Sequence, residues 1–360
     1  MSVSVLKTNL SNIDKKVKEA LELIRYKPKK KRLFFKPNIV GPYSPRSGIV
    51  THFKVVEALI KYFWGYEMVV GEGVAIGSDF KRCIEASGYR KLCKRYDIPI
   101  VNLDYCERYD VPWKYGVLSL PKVLEEYEYI DVPTLKTHKQ TTVSLGMKNQ
   151  KGLLAPLQKR WFHYEGLEQL SSLIKELQTV VTPALTVVGG IYCLEGEGPV
   201  AFGKTKKADL LVAGEDVVEV DNVCCKLMGI DARKVAHIPY RENVEVLGTP
   251  IEKVKLDFLT SQSDYYTVYN IYYQANYSCS GCLYATKNAL ESFYVHPVKF
   301  IKAFCKGKIE VISGRKPHLP QKADKVVCLG DCCERFAKEH NLVHVKGCPP
   351  DPRDIFNKIT

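Results

Sequence analysis

Short apolar segments typical of buried strands alternate with helix-like segments over the first two-thirds of the chain. Leu33–Phe35 and Met68–Val70 are two such apolar segments, and a third spans residues 98–103. Between them the periodicity predicts one helix that begins at Thr51 and a second over residues 79–96. Strands that alternate with helices pair mostly in parallel, because each helix returns the chain to the same end of the sheet. The pattern therefore predicts an α/β fold, with a mostly parallel sheet and helices on both faces.

Polar side chains and glycines gather where the predicted strands end, which is where ligands bind in parallel sheets. Lysines at these strand ends can bind the phosphate or carboxylate group of a ligand, and His138 is a candidate proton carrier. Glu195 lies in a glycine-rich loop expected after a strand at Leu185–Val188, and is a candidate base. A solvated sheet edge and helix-capping carboxylates are the structural alternatives. The candidate catalytic residues are Lys136, His138 and Glu195. The candidate ligand-binding residues are Lys36, Asn38, Glu72, Lys148, Asn149, Asp216 and Asp221.

Near the end of the chain, four cysteines have the pattern of metal ligands. Cys279 and Cys282 form a C-x-x-C pair, and Cys332 and Cys348 follow in glycine-bearing turns. The start of the chain lacks the pattern of a secretion signal, so we expect a cytoplasmic setting in which thiols stay reduced. Because the last two cysteines form no second pair, the spacing favours a [4Fe–4S] cluster over zinc. Zinc, or buried or redox-active cysteines, are the alternatives, and Cys328 or Cys333 could replace Cys332.

Composition changes after about Glu242, where polar, tyrosine-rich segments lead into the cysteine region. We therefore expect two parts, an α/β domain over residues 1–242 and a smaller, cysteine-rich α+β region over residues 243–360.

The net charge of +13 indicates a surface that attracts anions. We expect a small anionic substrate or cofactor as ligand, a redox partner protein, and no membrane, because no apolar run has the length of a span. A homodimer is compatible with this reading. No nucleic-acid-binding motif accompanies the densest basic run, residues 27–32, so we do not expect a nucleic-acid partner.

Five motifs in order give the chain a resemblance to the domain of unknown function family numbered 362, from about Leu33 to about His237. They are Lys36-Pro37-Asn38, Val70-Gly71-Glu72-Gly73, Leu135-Lys136-Thr137-His138, Lys148-Asn149-Gln150-Lys151-Gly152 and Glu195-Gly196-Glu197-Gly198-Pro199. The positions of Asp216 and Asp221 agree with the family pattern. The cysteine-bearing tail resembles archaeal-type members, and the resemblance implies an iron–sulfur protein of anaerobic metabolism.

The leading hypothesis is an iron–sulfur protein, an oxidoreductase or electron carrier, with a small anion bound in the α/β domain. The first alternative is a non-redox acid–base or group-transfer enzyme whose tail metal is structural. The second is a basic nucleic-acid-binding module, which rests on the net charge alone.

Overall fold

The computed structural model describes residues 1–163, 167–200, 202–261, 265–320 and 323–360, without the side chains of residues 167, 168 and 275–277. The chain forms two compact units. The first comprises residues 1–74, 79–159 and 171–261, and the second comprises residues 75–78, 160–170 and 262–360. Residues 243–261 thus group with the first unit. The boundary expected after Glu242 is one between parts that fold independently, which this grouping does not test. That boundary stays a prediction.

The strands up to residue 261 are these: β1 (Ser2–Lys7), β2 (Arg32–Pro37), β3 (Glu67–Glu72), β4 (Ile100–Asn102), β5 (Arg108–Trp113), β6 (Gly116–Pro121), β7 (Glu128–Val132), β8 (Thr134–His138), β9 (Thr142–Val143), β10 (Leu185–Gly196), β11 (Gly203–Gly214) and β12 (Glu245–Gly248). The helices over the same residues are α1 (Ile13–Leu23), α2 (Phe53–Tyr62), α3 (Phe80–Ala86), α4 (Tyr89–Tyr96), α5 (Val123–Glu126), α6 (Leu145–Asn149), α7 (Pro156–Trp161), α8 (Leu167–Leu177) and α9 (Val217–Leu227).

The large sheet of the first unit has the strand order β12-β1-β11-β10-β7-β2-β3-β4. From β10 to β4 neighbouring strands are parallel, whereas β11 is antiparallel to both β10 and β1. The chain moves outward from β2 to β3 and β4, and then returns to place β7 on the other side of β2. The strand order therefore reverses at β2, and the crevice outside the carboxyl ends of β2 and β7 is the expected ligand position in such a sheet.

This architecture confirms the predicted α/β fold with a mostly parallel sheet. Leu33, Phe34 and Phe35 in β2 are completely buried, as expected for a strand covered on both faces. No helix among the described residues is long and apolar enough to cross a lipid bilayer.

Two predicted helices differ from the structure in their limits. The helix predicted to begin at Thr51 begins after His52, whose ring accepts the Lys54 N–H, because the Thr51 hydroxyl instead donates to the Val132 carbonyl. The helix predicted over residues 79–96 is two helices, α3 and α4. Gly88 separates them with a φ of +83°, a backbone conformation that breaks the helix.

The strand predicted at Leu185–Val188 continues to Gly196 as β10. It continues because β11 pairs with it in antiparallel register as far as Gly203 opposite Gly196. Glu195 therefore lies at the end of a strand and not in a free loop.

The second unit contains a smaller sheet of order β13-β14-β15-β16-β17. The strands from β14 to β17 are parallel, and β13 forms an antiparallel hairpin with β14. Its helices pack around a buried interior that includes β15 and residues 327–329 at the end of β16. The strands are β13 (Tyr265–Val268), β14 (Ile271–Tyr277), β15 (Ile309–Gly314), β16 (Lys325–Leu329) and β17 (Val343–Val345). The helices are α10 (Ser280–Glu291), α11 (Pro297–Phe304), α12 (Glu334–Glu339) and α13 (Pro352–Ile359).

Candidate functional site

A buried ion pair lies at the carboxyl ends of β2 and β3. The Lys36 Nζ is 2.8 Å from Oε1 of Glu72, and their side chains keep only 1% and 4% of their surface exposed. The Glu72 carboxylate also accepts the backbone N–H groups of Ile39 and Gly73, each at 2.8 Å. Burial raises the pKa of Glu72, and the Lys36 charge opposes that rise. Because the carboxylate has several donors, the pair meets the conditions under which buried charges are tolerated.

Two glycines of the sequence motifs let the backbone approach this pair closely. A Cβ atom on Gly152 would lie 2.5 Å from Oε1 of Glu72 and 2.6 Å from the Lys36 Nζ. One on Gly73 would lie 2.5 Å from the Lys159 Nζ, which is itself paired with Asp104. Side chains at these positions would therefore displace buried charges.

Replacing Gly152 by alanine should lower the free energy of unfolding by about 3 kcal/mol, the upper end of the cost of overpacking. Gly65→Ala is the comparison variant, because nothing lies within 4 Å of the added carbon, although its φ of +99° adds a backbone strain that Gly152 does not have. That change should cost only about 1 kcal/mol of backbone strain. Urea unfolding followed by far-ultraviolet circular dichroism measures both. Equal costs for the two variants would contradict the close approach.

A network of hydrogen bonds extends the pair to β7 and α6. The Asn149 amide donates to Oδ1 of Asp131 at 2.7 Å, and its oxygen accepts from the Lys36 Nζ at 3.3 Å. The Tyr129 hydroxyl also donates to Asp131. Burial raises the pKa of Asp131 to about 7, although Lys36 and Asn149 favour its charged form. The network thus joins Lys36, Glu72, Asn149 and Asp131 at the point where the strand order reverses.

Two further lysines lie in the same electrostatic environment. The Lys136 side chain is buried and its Nζ donates to the Ile49 carbonyl at 2.8 Å. Burial and then the Lys148 charge lower its pKa to about 7, although Glu72 opposes the shift. Burial likewise lowers the pKa of Lys148 to about 7. Neither amine forms an ion pair with an acidic residue of the described part of the chain.

His237 belongs to this neighbourhood, and the sequence did not single it out. Its ring is completely buried, and in the described structure neither ring nitrogen has a hydrogen-bond partner. Burial and then the Lys148 charge lower the pKa of His237 to about 3, so the ring is neutral. The sequence offered no signal for it, because it lies outside the five motifs.

Two of the predicted carboxylates hold helix ends. Asp221 accepts the N–H groups of Gly146 and Met147 at 2.8 and 2.9 Å, and so holds the start of α6. Burial raises its pKa to about 8. Asp216 caps α9 by accepting the Val218 N–H at 2.7 Å. Contact of either residue with a ligand stays a prediction.

The remaining predicted residues have these surroundings. His138 is buried, and its Nδ1 accepts the Gln140 N–H at 3.1 Å. The Asn38 amide oxygen is buried and has no described partner. Glu195 is paired with Lys206 at 2.8 Å and accepts the Leu259 N–H. The described contacts of Glu195 are therefore with β11 and the segment after β12, and not with the Lys36–Glu72 pair.

In the second unit the predicted metal ligands follow the carboxyl ends of parallel strands. Cys279 and Cys282 follow β14 and begin α10, Cys332 follows β16, and Cys348 follows β17. The hydrogen bond with Cys279 has the largest effect on the pKa of the Cys282 thiol and raises it. The charges of Cys279, Cys332 and Cys348 also raise this pKa. A Cβ atom on Gly330 would lie 3.3 Å from the Cys282 Sγ and 3.6 Å from the Cys332 Sγ. The fold thus brings the four thiols to one edge of the sheet.

The two neighbouring cysteines, Cys328 and Cys333, are buried. Cys333 is buried with Cys328 and Ala337, and its thiol contacts the Gly314 carbonyl at 3.1 Å. Cys332 is exposed, and the Cys333 thiol lowers its pKa to about 7 through a hydrogen bond. Of the three, Cys332 is the one whose charge affects the pKa of Cys282.

The donor set of four thiols suits iron–sulfur clusters or zinc. Among the described residues, however, no group of three or more His, Cys, Asp and Glu side chains is already arranged to hold a metal ion. A metal would therefore require the thiols to turn toward a common centre.

Part of the basic run at the start of β2 makes contacts within the first unit. The backbone N–H groups of Lys29 and Lys30 donate to the buried Glu128, and Arg32 pairs with Glu67 and Glu126. The basic side chains of this run stay exposed, so these contacts leave the nucleic-acid alternative untested.

The fold and the site define an α/β protein with a polar strand-end site and a second, cysteine-bearing parallel sheet. The chain belongs to the family described as Domain of unknown function (DUF362), whose model matches residues 34–226. That range contains Lys36, Glu72, Asp131 and Asn149. A thylakoid-associated protein of Synechocystis sp. strain PCC 6803 is 29% identical over 227 residues, which cover 61% of this chain and 70% of that protein. No solved structure matches the chain.

Proposed function

We propose that this chain is an iron–sulfur protein with a redox or electron-transfer role, and that its first unit binds a small anionic ligand. The observation that carries the proposal is the arrangement of Cys279, Cys282, Cys332 and Cys348 after the ends of three parallel strands. Residues that follow such strands converge at one edge even when they are far apart in sequence. The fold can therefore bring together four cysteines that form no compact ligand motif in the sequence.

The donors and the surrounding backbone support a cluster as the type of centre. Four thiols and no histidine suit a [4Fe–4S] cluster, which when bound would accept and donate single electrons. Gly330 and Gly347 have positive φ, so these turns can present backbone N–H groups to sulfur. Zinc is the alternative occupant of the same four thiols.

The support for an anionic ligand is the charge of the first unit's strand ends. Lys36 is neutralised by Glu72, and Lys159 by Asp104. Lys136, which is buried, and Lys148, which is half-buried, have no described acidic partner, and ammonium groups removed from water are costly unless they are paired. A small carboxylate or phosphate would provide the missing counter-charge, because lysine binds such groups as a point charge.

Reduction followed by electron paramagnetic resonance tests the redox part of the proposal. Protein purified without oxygen should give no signal when oxidised and a signal of a half-integer-spin cluster after reduction with dithionite. If dithionite changes neither the electron paramagnetic resonance spectrum nor the absorbance of the protein, this centre has no redox role.

The second candidate function is acid–base chemistry without electron transfer, with a structural metal in the second unit. It is favoured by the lowered pKa values of Lys136 and Lys148, about 7 each, which suit proton exchange at neutral pH. Incorporation of deuterium from solvent into a hydroxy acid, in the absence of an electron acceptor, would support this function over the first.

A further inference from the structure

Helix α11 presents an apolar stripe to solvent. Val298, Ile301 and Phe304 recur at every third position and keep 66%, 60% and 56% of their surface exposed. Tyr294 and Val295, just before the helix, keep 82% and 72%. Scattered exposed apolar residues are ordinary, but five large ones within eleven positions form a patch of the kind that marks an interaction surface.

Lysines surround this stripe, and acidic residues are absent from its sequence. From Tyr294 to Lys308 the chain has four lysines and no aspartate or glutamate. Lys325 lies close to two other lysines, because the charges of Lys306 and Lys358 add to burial in lowering its pKa. The surface is therefore apolar in the middle and carries more lysines than carboxylates at its rim, where Asp324 accepts the Lys308 N–H at 2.7 Å.

The topology puts this surface at the edge of the small sheet opposite the cysteines. Helix α10 begins at the carboxyl edge and carries the chain back, and α11 leads into the start of β15. Lys325 is the first residue of β16. Tyr269, just before β14, packs its ring 4.7 Å from that of Phe300 in α11. The stripe, its lysines and the amino ends of the parallel strands thus lie together.

We propose that this face, formed by residues 294–306 with Tyr269, Lys325 and Lys358, docks on an anionic lipid surface. Aliphatic and aromatic side chains on one side of a helix enter the headgroup region, while lysines beside them contact lipid phosphates. Two copies of the chain would bring their lysine rims together, so charge opposes a self-interface. The sequence predicted no membrane partner because no apolar run is long enough to span a bilayer. Docking on the surface of a bilayer does not need such a run. The proposal is independent of the metal centre.

Sedimentation of the full chain with lipid vesicles tests the proposal. Wild-type protein should bind vesicles of phosphatidylcholine mixed with phosphatidylglycerol, and much less those of phosphatidylcholine alone. The double variant Ile301→Glu and Phe304→Glu should bind the mixed vesicles at least about tenfold more weakly. Leu157→Glu is the matched control, because Leu157 is 74% exposed outside this face, and it should bind as wild type.

Two results would overturn the proposal. One is a wild-type protein that does not sediment with the mixed vesicles, and the other is a double variant that binds them as well as wild type. If the wild-type protein ignores vesicles but binds polyglutamate or dimerises through this face, the surface serves an acidic protein or a second copy.

Discussion

Replacing Cys279 and Cys282 together by serine should remove the metal centre and loosen the loops at the carboxyl edge of the small sheet. Both residues begin α10, and Cys282 is buried beside Gly330 and the Cys332 thiol. Serine oxygens are poor ligands for an iron–sulfur cluster, so iron should fall from about four atoms per chain to almost none. Without the centre, the three loops after β14, β16 and β17 lose their common ligand, and proteases should cut there first.

The first unit should stay folded in this variant, because its buried strands do not depend on the thiols. Limited proteolysis followed by mass spectrometry measures both effects. Cys305→Ser is the control, since Cys305 is exposed and outside the four candidates, and its iron content should not change. A double variant that keeps its metal would show that these cysteines are not the ligands. Degradation of the whole chain would show that the units do not fold independently.

Replacing Lys136 and Lys148 together by methionine should abolish anion binding in the first unit. Each hydrogen bond to a charged group contributes about 1.5–3 kcal/mol, so the loss of both ammonium groups should weaken binding at least about 100-fold. Sulfate is a suitable probe, because its charge does not change near neutral pH, and isothermal titration calorimetry measures its affinity. Lys94→Met, on an exposed position of α4, is the control.

The pH dependence of the same two lysines has a definite sign. Their pKa values in the folded chain are about 7, below the ordinary 10.5, so they are charged only at lower pH. Sulfate should therefore bind well below pH 7 and progressively less above it. Between about pH 7 and pH 10.5 the unfolded chain holds more protons on these two lysines than the folded chain does. The free energy of unfolding of the wild type should therefore rise with pH over that range. The double variant should lose both dependences. Sulfate binding that is unchanged by the variant would contradict the anionic site.

The sequence predicted the elements that simple periodicity and turn chemistry specify. The apolar segments around Phe34 and Val69 are buried parallel strands, and the polar residues after them meet at the crevice between β2, β3 and β7. The pairing of Lys36 with Glu72 was not predicted, because it depends on the sheet order. That order follows from the return of the chain to β7, which no local pattern encodes.

The second unit was predicted less well than the first. Its strand β14 is rich in tyrosine and polar residues, so it lacks the apolar run that identified β2 and β3. The parallel order of β14 to β17, and hence the reason why Cys332 and Cys348 approach the C-x-x-C pair, emerges only from the fold. His237 likewise becomes a candidate only through its burial and its proximity to Lys148.

The most direct test of the central claim is the quantity of iron, acid-labile sulfide and zinc in the full chain purified without oxygen. We expect about four iron and four sulfide per chain with little zinc, as a single cluster on Cys279, Cys282, Cys332 and Cys348 requires. A colourless protein with one zinc per chain and no sulfide, or one with no metal at all, would contradict it.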